Sequence, residues 1–192
     1  MPGSLRVVAG EARGRVLRAP AGSSTRPTSG RLREALFAML EAAGVDFSNV
    51  LDLYAGSGAL GIEALSRGAA HCTFVEFDHA AASTIRSNLG IVGFTSRGTV
   101  VRGRVGRWRP ADREVYTLVV ADPPYDDAAA WDAIERSVRG CLGSAAVVVV
   151  EHAARRTPPP SLAGLALWRD RRQGEGAVAI YREAGANGGE DR

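Results

Sequence analysis

Residues 52–61 have the sequence Asp-Leu-Tyr-Ala-Gly-Ser-Gly-Ala-Leu-Gly and join an apolar strand pattern to a helical pattern. Gly56, Gly58 and Gly61 have the Gly-x-Gly-x-x-Gly spacing that is typical of nucleotide-binding turns between a strand and a helix. Glu76 follows about twenty residues later, where such folds place an acid that binds the ribose hydroxyls. The segment therefore predicts an adenosine-containing ligand at the carboxyl end of a parallel sheet.

Strand and helix patterns alternate along most of the chain. We predict an amphipathic helix at residues 32–40, strands at 50–54, 72–77, 99–102, 118–121 and 145–151, and helices at 60–67, 80–89 and 128–141. This alternation is typical of an α/β fold, a mainly parallel sheet covered by helices on both faces. Residues 165–169 and 177–181, with a turn region at 170–176, are predicted as an antiparallel strand pair that ends the domain.

The composition limits the class of protein. With 192 residues, of which 45% are hydrophobic and 23% charged, the chain can form one domain with a full core. Cys72 and Cys141 lie in no zinc-binding pattern, the longest apolar run (residues 145–150) is too short to cross a bilayer, and residues 1–10 contain no signal-peptide core. We expect a soluble, cytoplasmic protein without a bound metal.

Basic residues are concentrated at the amino terminus, and all 24 of them in the chain are arginine. Residues 1–33 contain seven arginines against one acid, Glu11. We predict that residues 1–26 form a basic β-hairpin extension, that residues 27–183 form the main domain, and that residues 184–192 are a flexible tail. The hairpin is expected to contact RNA phosphates through Arg6, Arg13, Arg15 and Arg18, although a solvated charged face is the alternative.

Asp52 favours one class of adenosine cofactor over another. It ends the first predicted strand, beside the position where a dinucleotide would place its pyrophosphate. A carboxylate there repels a diphosphate and attracts an ammonium group. S-adenosylmethionine has such an amine and no phosphate, so we favour it over a nicotinamide cofactor. The alternative is a tight turn without a ligand, in which Asp52 is a local cap.

A second motif, Asp122-Pro123-Pro124-Tyr125, ends the fourth predicted strand. Two consecutive prolines remove backbone donors and stiffen the chain, which leaves the Asp122 carboxylate and the Pro123 carbonyl as acceptors. An exocyclic amine of a nucleobase could donate to both, and Tyr125 could stack on the ring. We therefore predict a catalytic amine-methylation site at residues 122–125, although a plain turn would also fit the prolines.

The remaining cofactor contacts are predicted near the same strand ends. Tyr54 in the glycine loop and Phe77 beside Glu76 are expected to contact the cofactor. Arg104 and Val105 follow the third strand, where the adenine ring should lie, so backbone groups and apolar surface there are expected to hold it.

The sequence resembles the RsmD family of bacterial 16S rRNA guanine-N2 methyltransferases, enzymes named for guanine 966 of the small-subunit RNA. The resemblance covers nearly the whole chain and rests on Arg6-Val7-Val8-Ala9-Gly10, Arg13-Gly14-Arg15, Arg26-Pro27-Thr28, Arg33-Glu34-Ala35-Leu36-Phe37, residues 51–58, Glu76 with Asp78, and Asp122-Pro123-Pro124-Tyr125. It implies a class I, Rossmann-like S-adenosylmethionine-dependent methyltransferase fold with a seven-stranded, mainly parallel sheet. It also implies that the small amino-terminal hairpin is part of this fold.

The resemblance further implies roles for individual residues. Asp52, Gly56 and Gly58 would contact the methionine end of the cofactor, Glu76 the ribose and residues 122–125 the target guanine. Thr28 is a lesser candidate for the cofactor carboxylate. Arg104 stands where the family usually has an acid that meets the adenine amine. The implied substrate is 16S rRNA within an assembled or partly assembled small ribosomal subunit, and a monomer is expected.

Other functions remain as alternatives. The nearest is an amine methyltransferase acting on adenine N6 or protein glutamine, although those enzymes commonly have Asn at the position of Asp122. A nicotinamide-dependent oxidoreductase is disfavoured by Asp52, and an RNA-binding protein without catalysis is disfavoured by Asp122 and Tyr125.

Overall fold

The computed structural model describes residues 5–20, 30–112, 114–125 and 127–185. Its helices are α1 (Gly30–Ala42), α2 (Ala59–Ser66), α3 (His79–Val92) and α4 (Ala130–Val138), with a 3-10 turn at Thr95–Arg97. Its strands are β1 (Asn49–Leu53), β2 (His71–Glu76), β3 (Gly98–Arg102), β4 (Tyr116–Ala121), β5 (Leu142–Ala153), β6 (Ser161–Leu162), β7 (Leu165–Gln173) and β8 (Gly176–Arg182).

The strands form a single mixed sheet in the order β3-β2-β1-β4-β5-β8-β7-β6. The first five strands in this order are parallel, and the last three pair antiparallel. The predicted α/β architecture is therefore confirmed. The two-residue strand β6 brings the sheet to eight strands, where seven were expected, because so short a segment has no period that a sequence pattern can show.

The direction of chain winding reverses between β1 and β4. From β1 the chain proceeds outward through β2 and β3, whereas β4 lies on the other side of β1. In open α/β sheets, a crevice forms outside the carboxyl ends of the strands at such a switch point. The segments that follow β1 and β4 are residues 54–58 and 122–125, so the fold places both predicted motifs at this crevice.

Close packing of α2 on the sheet explains the last glycine of the loop motif. A Cβ atom at Gly61 would lie 2.4 Å from Cε1 of Phe74 and 2.6 Å from Sγ of Cys72, both on β2. Any side chain at this position would push the helix away from the strand. Gly61 therefore lets the first turns of α2 lie directly over β2, with the helix N-terminus above the crevice.

The amino-terminal hairpin is packed into the same core as the sheet. Among the described residues its two arms are joined by backbone hydrogen bonds from Val7 to Arg15, from Gly14 to Val7 and from Leu17 to Leu5, around a bridge between Arg6 and Val16, and they form no longer strands. Val7 and Leu17 are buried in the core cluster that also contains the apolar side chains of α1. Because an isolated two-stranded hairpin is only marginally stable in water, it depends on its contacts with the helices.

Polar side chains on α2 complete the attachment of the hairpin. The carboxylate of Glu63, which is 0% exposed, accepts the N–H groups of Val8 at 2.8 Å and Ala9 at 3.0 Å. Ser66 Oγ accepts the N–H of Ala12 at 2.9 Å. Buried backbone donors need such partners, and α2 supplies them where the short hairpin ladder does not.

The carboxyl-terminal strand pair is longer than predicted. The turn expected at residues 170–176 is reduced to two residues, because Arg171, Arg172 and Gln173 continue the pairing with β8. These side chains are exposed on a strand near the edge of the sheet. Charged side chains are ordinary on such strands because they face water and discourage further pairing.

Helix α4 is shorter than predicted, since it begins at Ala130 and ends at Val138. The predicted tail lies mostly outside the described residues, since residues 186–192 are not described. In the part of the chain that the structure describes, no helix has the length and apolar character needed to cross a membrane.

Candidate active site

Three acids from three strands lie along the carboxyl edge of the sheet. Asp52 is in β1, Glu76 ends β2, and Asp122 directly follows β4. The last residue of β1, Leu53, pairs with Val75 on one side and Ala121 on the other, and its carbonyl accepts the N–H of Asp122 at 3.4 Å. The structure therefore brings together acids that lie up to 70 positions apart in the sequence.

Asp52 lies beneath the glycine loop and not on its surface. Its side chain is 1% exposed, and Oδ2 accepts the N–H of Gly61 at 2.9 Å, in the first turn of α2. Burial raises the pKa of this carboxyl well above its usual range, and the nearby charges of Asp122 and Glu76 raise it further. The structure therefore has the local-cap contact that the sequence analysis kept as the alternative role for Asp52.

Glu76 is held by two backbone donors, one of which belongs to the glycine loop. Its Oε2 accepts the N–H of Gly56 and its Oε1 accepts the N–H of Asp78, both at 2.8 Å. A carboxylate has about four acceptor positions, so each oxygen keeps the capacity for a further donor. Glu76 thus has a fixed position and can still accept two hydroxyl groups.

The loop backbone between β1 and α2 turns through the left-handed region. Tyr54, Gly56 and Gly58 have φ values of 56°, 55° and 77°. Glycine adopts this region freely, whereas a tyrosine there is strained, and such strain is concentrated at functional sites. Tyr54 is half-buried, and burial raises the pKa of its hydroxyl to about 12.

Asn88 is a structural residue of the site that the sequence analysis missed. Its Nδ2 donates to the carbonyls of Ser57 at 2.8 Å and Arg18 at 3.0 Å, while its Oδ1 accepts the N–H of Arg18 at 2.8 Å. The fully buried side chain therefore joins the glycine loop to the end of the hairpin. The only sequence signal for this role was that Asn88 is polar, although its position in α3 belongs to the apolar face of the helix.

Phe77 and Arg104 form a stacked pair next to Glu76. The ring of Phe77 is 59% exposed, and the guanidinium carbon of Arg104 lies 3.9 Å from its centroid. Val105 is buried beside them in the core. The residues predicted to surround an adenine ring thus lie together after the ends of β2 and β3. Phe77 supplies an aromatic ring and Arg104 a planar cation.

The Asp122–Tyr125 segment is anchored at both ends. Asp122 is joined to β1 through its backbone, Pro123 is buried and Pro124 is exposed. The Tyr125 hydroxyl donates to Oε1 of Glu151, on β5, at 2.8 Å. Burial and the adjacent carboxylate raise the pKa of Tyr125 above its usual value, so the hydroxyl remains protonated.

The predicted RNA-binding arginines lie on the hairpin. Arg13 and Arg15 are exposed, whereas Arg6 donates to the carbonyl of Gly14 at 3.0 Å and Arg18 donates to Ser87 Oγ at 3.0 Å. Thr28, the predicted carboxylate contact, lies outside the described residues. Since Asn88 links Arg18 to the glycine loop, the hairpin is attached directly to the framework of the site.

The electrostatic character of the site fits a cationic ligand. Three carboxyl groups interact across the crevice, and burial and mutual repulsion raise the pKa of the innermost one. A positive charge nearby would relieve this repulsion. Within the described ranges, no group of three or more His, Cys, Asp or Glu side chains is arranged to hold a metal ion.

Comparisons with known proteins agree with this geometry. A family model described as "Conserved hypothetical protein 95" matches residues 5–182. The chain is 34% identical over 184 residues to ribosomal RNA small subunit methyltransferase D of Escherichia coli, covering 95% of this chain and 92% of that protein.

Solved structures show the same fold. A hypothetical protein from Thermus thermophilus has a TM-score of 0.76 and 31% identity, with 91% of this chain and 97% of that chain covered. The 16S rRNA N2 G1207 methyltransferase of T. thermophilus, solved in complex with AdoMet and guanosine, has a TM-score of 0.70 and 21% identity, with 95% and 50% covered. The family match spans both motifs and the hairpin, and the chain therefore belongs to the RsmD family.

Proposed function

We propose that this protein transfers a methyl group from S-adenosylmethionine to the exocyclic N2 amine of a guanine in 16S rRNA. Membership of a family that contains ribosomal RNA small subunit methyltransferases supports rRNA methylation. One observation carries the proposal. The glycine loop, Glu76 and the Asp122–Tyr125 segment all lie at the switch point between β1 and β4. A nucleoside cofactor and a planar amine would meet there.

The residues present fit S-adenosylmethionine. Glu76 would accept the ribose hydroxyls, and Phe77, Arg104 and Val105 would hold the adenine. The methionine end would lie against Tyr54, Gly56 and Gly58, with Asp52 buried beneath them and Thr28 as a further contact. When bound, the cofactor supplies an electrophilic methyl group on a positively charged sulfur, a charge that the acids of this edge favour.

Asp122 and Pro123 would prepare the amine for attack. The lone pair of a guanine N2 amine is delocalised into the ring, which makes the nitrogen a poor nucleophile. Acceptance of its two N–H groups by the Asp122 carboxylate and the Pro123 carbonyl would favour a tetrahedral nitrogen and expose the lone pair. As the nitrogen becomes cationic, the same carboxylate can accept its proton.

The target base has to leave its stack to enter this crevice. A base inside a helix cannot bring its amine to the edge of the sheet, so the proposed substrate is an unpaired or flipped nucleotide. The ring of Tyr125 would stack on the base and hold the amine in line. We place this reaction in the cytoplasm, on an assembled or partly assembled small ribosomal subunit, with the protein acting as a monomer.

A methyl-transfer assay tests the proposal. Small ribosomal subunits from a strain that lacks this gene are incubated with the protein and radiolabelled S-adenosylmethionine, and the modified base is located by primer extension. Methylation of one guanine at N2 is the expected result. Methylation of adenine N6, or of a protein glutamine, would replace the guanine assignment with the alternative, and no transfer to subunits or to free 16S rRNA would overturn the proposal.

Charge reversal on the hairpin should weaken substrate binding. We expect the double variant Arg13→Glu with Arg15→Glu to bind RNA more weakly, with the slope of log affinity against log salt reduced by about one for each phosphate that the hairpin no longer binds. Both side chains are exposed, so the fold should be unaffected. Filter binding at several salt concentrations measures the slope.

Arg139→Glu provides the control for this prediction. Arg139 is 76% exposed and follows α4, at the edge of the sheet opposite the crevice. This substitution should leave the salt dependence unchanged. An unaltered slope in the hairpin variant would remove the hairpin from the RNA-binding surface.

A further inference from the structure

The hydroxyl of Tyr125 has a structural role that base stacking does not explain. Stacking on a base requires only the aromatic ring, which phenylalanine would also supply. In the structure the hydroxyl lies in a polar slot between β5 and β8, where it donates to Glu151 at 2.8 Å. We propose that Glu151 is a positioning residue, which holds the Tyr125 ring in place for the target base. This inference rests on the proposed function and deepens it.

Glu151 is suited to this role because it lies on a rigid part of the sheet. It is 5% exposed, lies within β5 and pairs with Val178 of β8. Because its backbone is paired within the sheet and its side chain is buried, the carboxylate has little freedom to move, so a group bound to it is held in turn. Tyr125 belongs to the segment after β4, and the hydrogen bond connects that segment to the neighbouring strand.

Arg33 stabilises the buried charge of Glu151 from another element. The guanidinium of Arg33 is buried, and its electrostatic attraction to Glu63 and Glu151 opposes the lowering of its pKa by burial. Its Nε and Nη1 have no hydrogen-bond acceptor among the described residues, and Nε lies 3.7 Å from Oε2 of Glu63. A buried carboxylate is costly without a nearby positive charge. Helix α1 thus contributes a positive charge that favours the Glu151 carboxylate.

Gly176 leaves the space that the Tyr125 hydroxyl occupies. A Cβ atom at this position of β8 would lie 2.9 Å from the hydroxyl oxygen and 3.6 Å from Oε1 of Glu151. Since the tyrosine side chain is rigid beyond its two torsions, an added methyl group would displace the ring. Residues of two strands, Glu151 of β5 and Gly176 of β8, therefore define the position of the Tyr125 hydroxyl.

The test compares variants that keep or remove the acceptor. Tyr125→Phe and Glu151→Leu each remove the hydrogen bond, and each should lower kcat by about fivefold with an unchanged affinity for S-adenosylmethionine, as expected for one hydrogen bond. Glu151→Gln keeps an oxygen acceptor and should retain kcat within about twofold. The double variant Tyr125→Phe with Glu151→Leu should be no slower than the slower single variant, because both remove the same interaction.

A spectroscopic measurement separates positioning from general damage. The chain has four tyrosines, so 3-fluorotyrosine labelling should give four fluorine resonances, of which Tyr125→Phe identifies one. Glu151→Leu should shift that resonance and leave the others in place. If Glu151→Leu does not fold, Gly176→Ala should shift the same resonance and lower kcat while Glu151 and Arg33 remain.

The outcomes distinguish this inference from the proposed function. If the wild-type protein methylates the subunit but the effects of Tyr125→Phe and Glu151→Leu multiply in the double variant, the positioning role is wrong and the function stands. An unmoved Tyr125 resonance in Glu151→Leu and in Gly176→Ala would also overturn it. If the wild-type protein methylates neither subunits nor RNA, the proposed function itself fails.

Discussion

Asp122→Ala should lower kcat by at least about a hundredfold, the scale of a lost acid–base group, and leave the affinity for S-adenosylmethionine within a few fold. The carboxylate is the proposed acceptor for the amine hydrogens and for the proton that leaves the nitrogen. The proposed cofactor contacts belong to the loop after β1 and the ends of β2 and β3, which lie outside the substituted segment. Single-turnover methylation and calorimetric titration with the cofactor measure the two quantities.

Two further variants sharpen this prediction. Asp122→Asn keeps an oxygen that can accept one N–H group but cannot accept a proton, so its kcat should lie between those of the wild type and Asp122→Ala. Asp112→Ala removes an exposed acid from the connection between β3 and β4 and should have wild-type kcat. Wild-type turnover in Asp122→Ala would show that the acceptor role assigned to this carboxylate is wrong.

Glu63→Gln should lower the free energy of unfolding by about 3 kcal/mol, the scale of a broken buried ion pair. Each carboxylate oxygen of Glu63 accepts a backbone N–H of the hairpin, and Oε1 also accepts Nε of Arg67 at 2.9 Å. An amide would place its NH₂ group against one of these donors. It would also leave the buried guanidinium of Arg33 without one of its two nearby carboxylates.

The matched control is Glu11→Gln. Glu11 also forms an ion pair, with Arg97 at 2.9 Å, but its side chain is 64% exposed. Exposed pairs contribute about 1 kcal/mol or less, so urea unfolding should show a small change. Equal losses in the two variants would contradict the assignment of Glu63 as the buried anchor of the hairpin. Loss of stability in Glu63→Gln should be accompanied by weaker RNA binding, because the hairpin carries the exposed arginines.

Sequence patterns predicted the elements of the parallel half of the sheet closely. The strands that contain Asp52 and precede Asp122 are apolar on both faces, and such runs are typical of strands buried between two layers of helices. The antiparallel half was predicted less well. Strand β7 contains the exposed residues Arg171 and Arg172. Exposed arginines fit a loop as well as a strand near the edge of a sheet, so the sequence pattern did not distinguish the two.

The candidate site was predicted unevenly for a related reason. Gly56, Gly58 and Glu76 have a fixed spacing because one short turn and one helix separate them, and the N–H of Gly56 donates to Glu76 in the structure. Asn88 and Glu151 belong to no local pattern. Their contacts, with the hairpin and with Tyr125, join residues that are 70 and 26 positions apart.

The amino-acid sequence by itself determined the order of strands and helices, the glycine loop and the two motifs that end β1 and β4, because these depend on local periodicity and on backbone conformations that few residues adopt. Only the tertiary structure decided that Asp52 is buried beneath the loop, that Glu63 binds the hairpin, and that Glu151 accepts the hydroxyl of Tyr125 beside Gly176. Burial and the pairing of buried charges arise between elements distant in the chain, so they are set when the sheet and helices pack together.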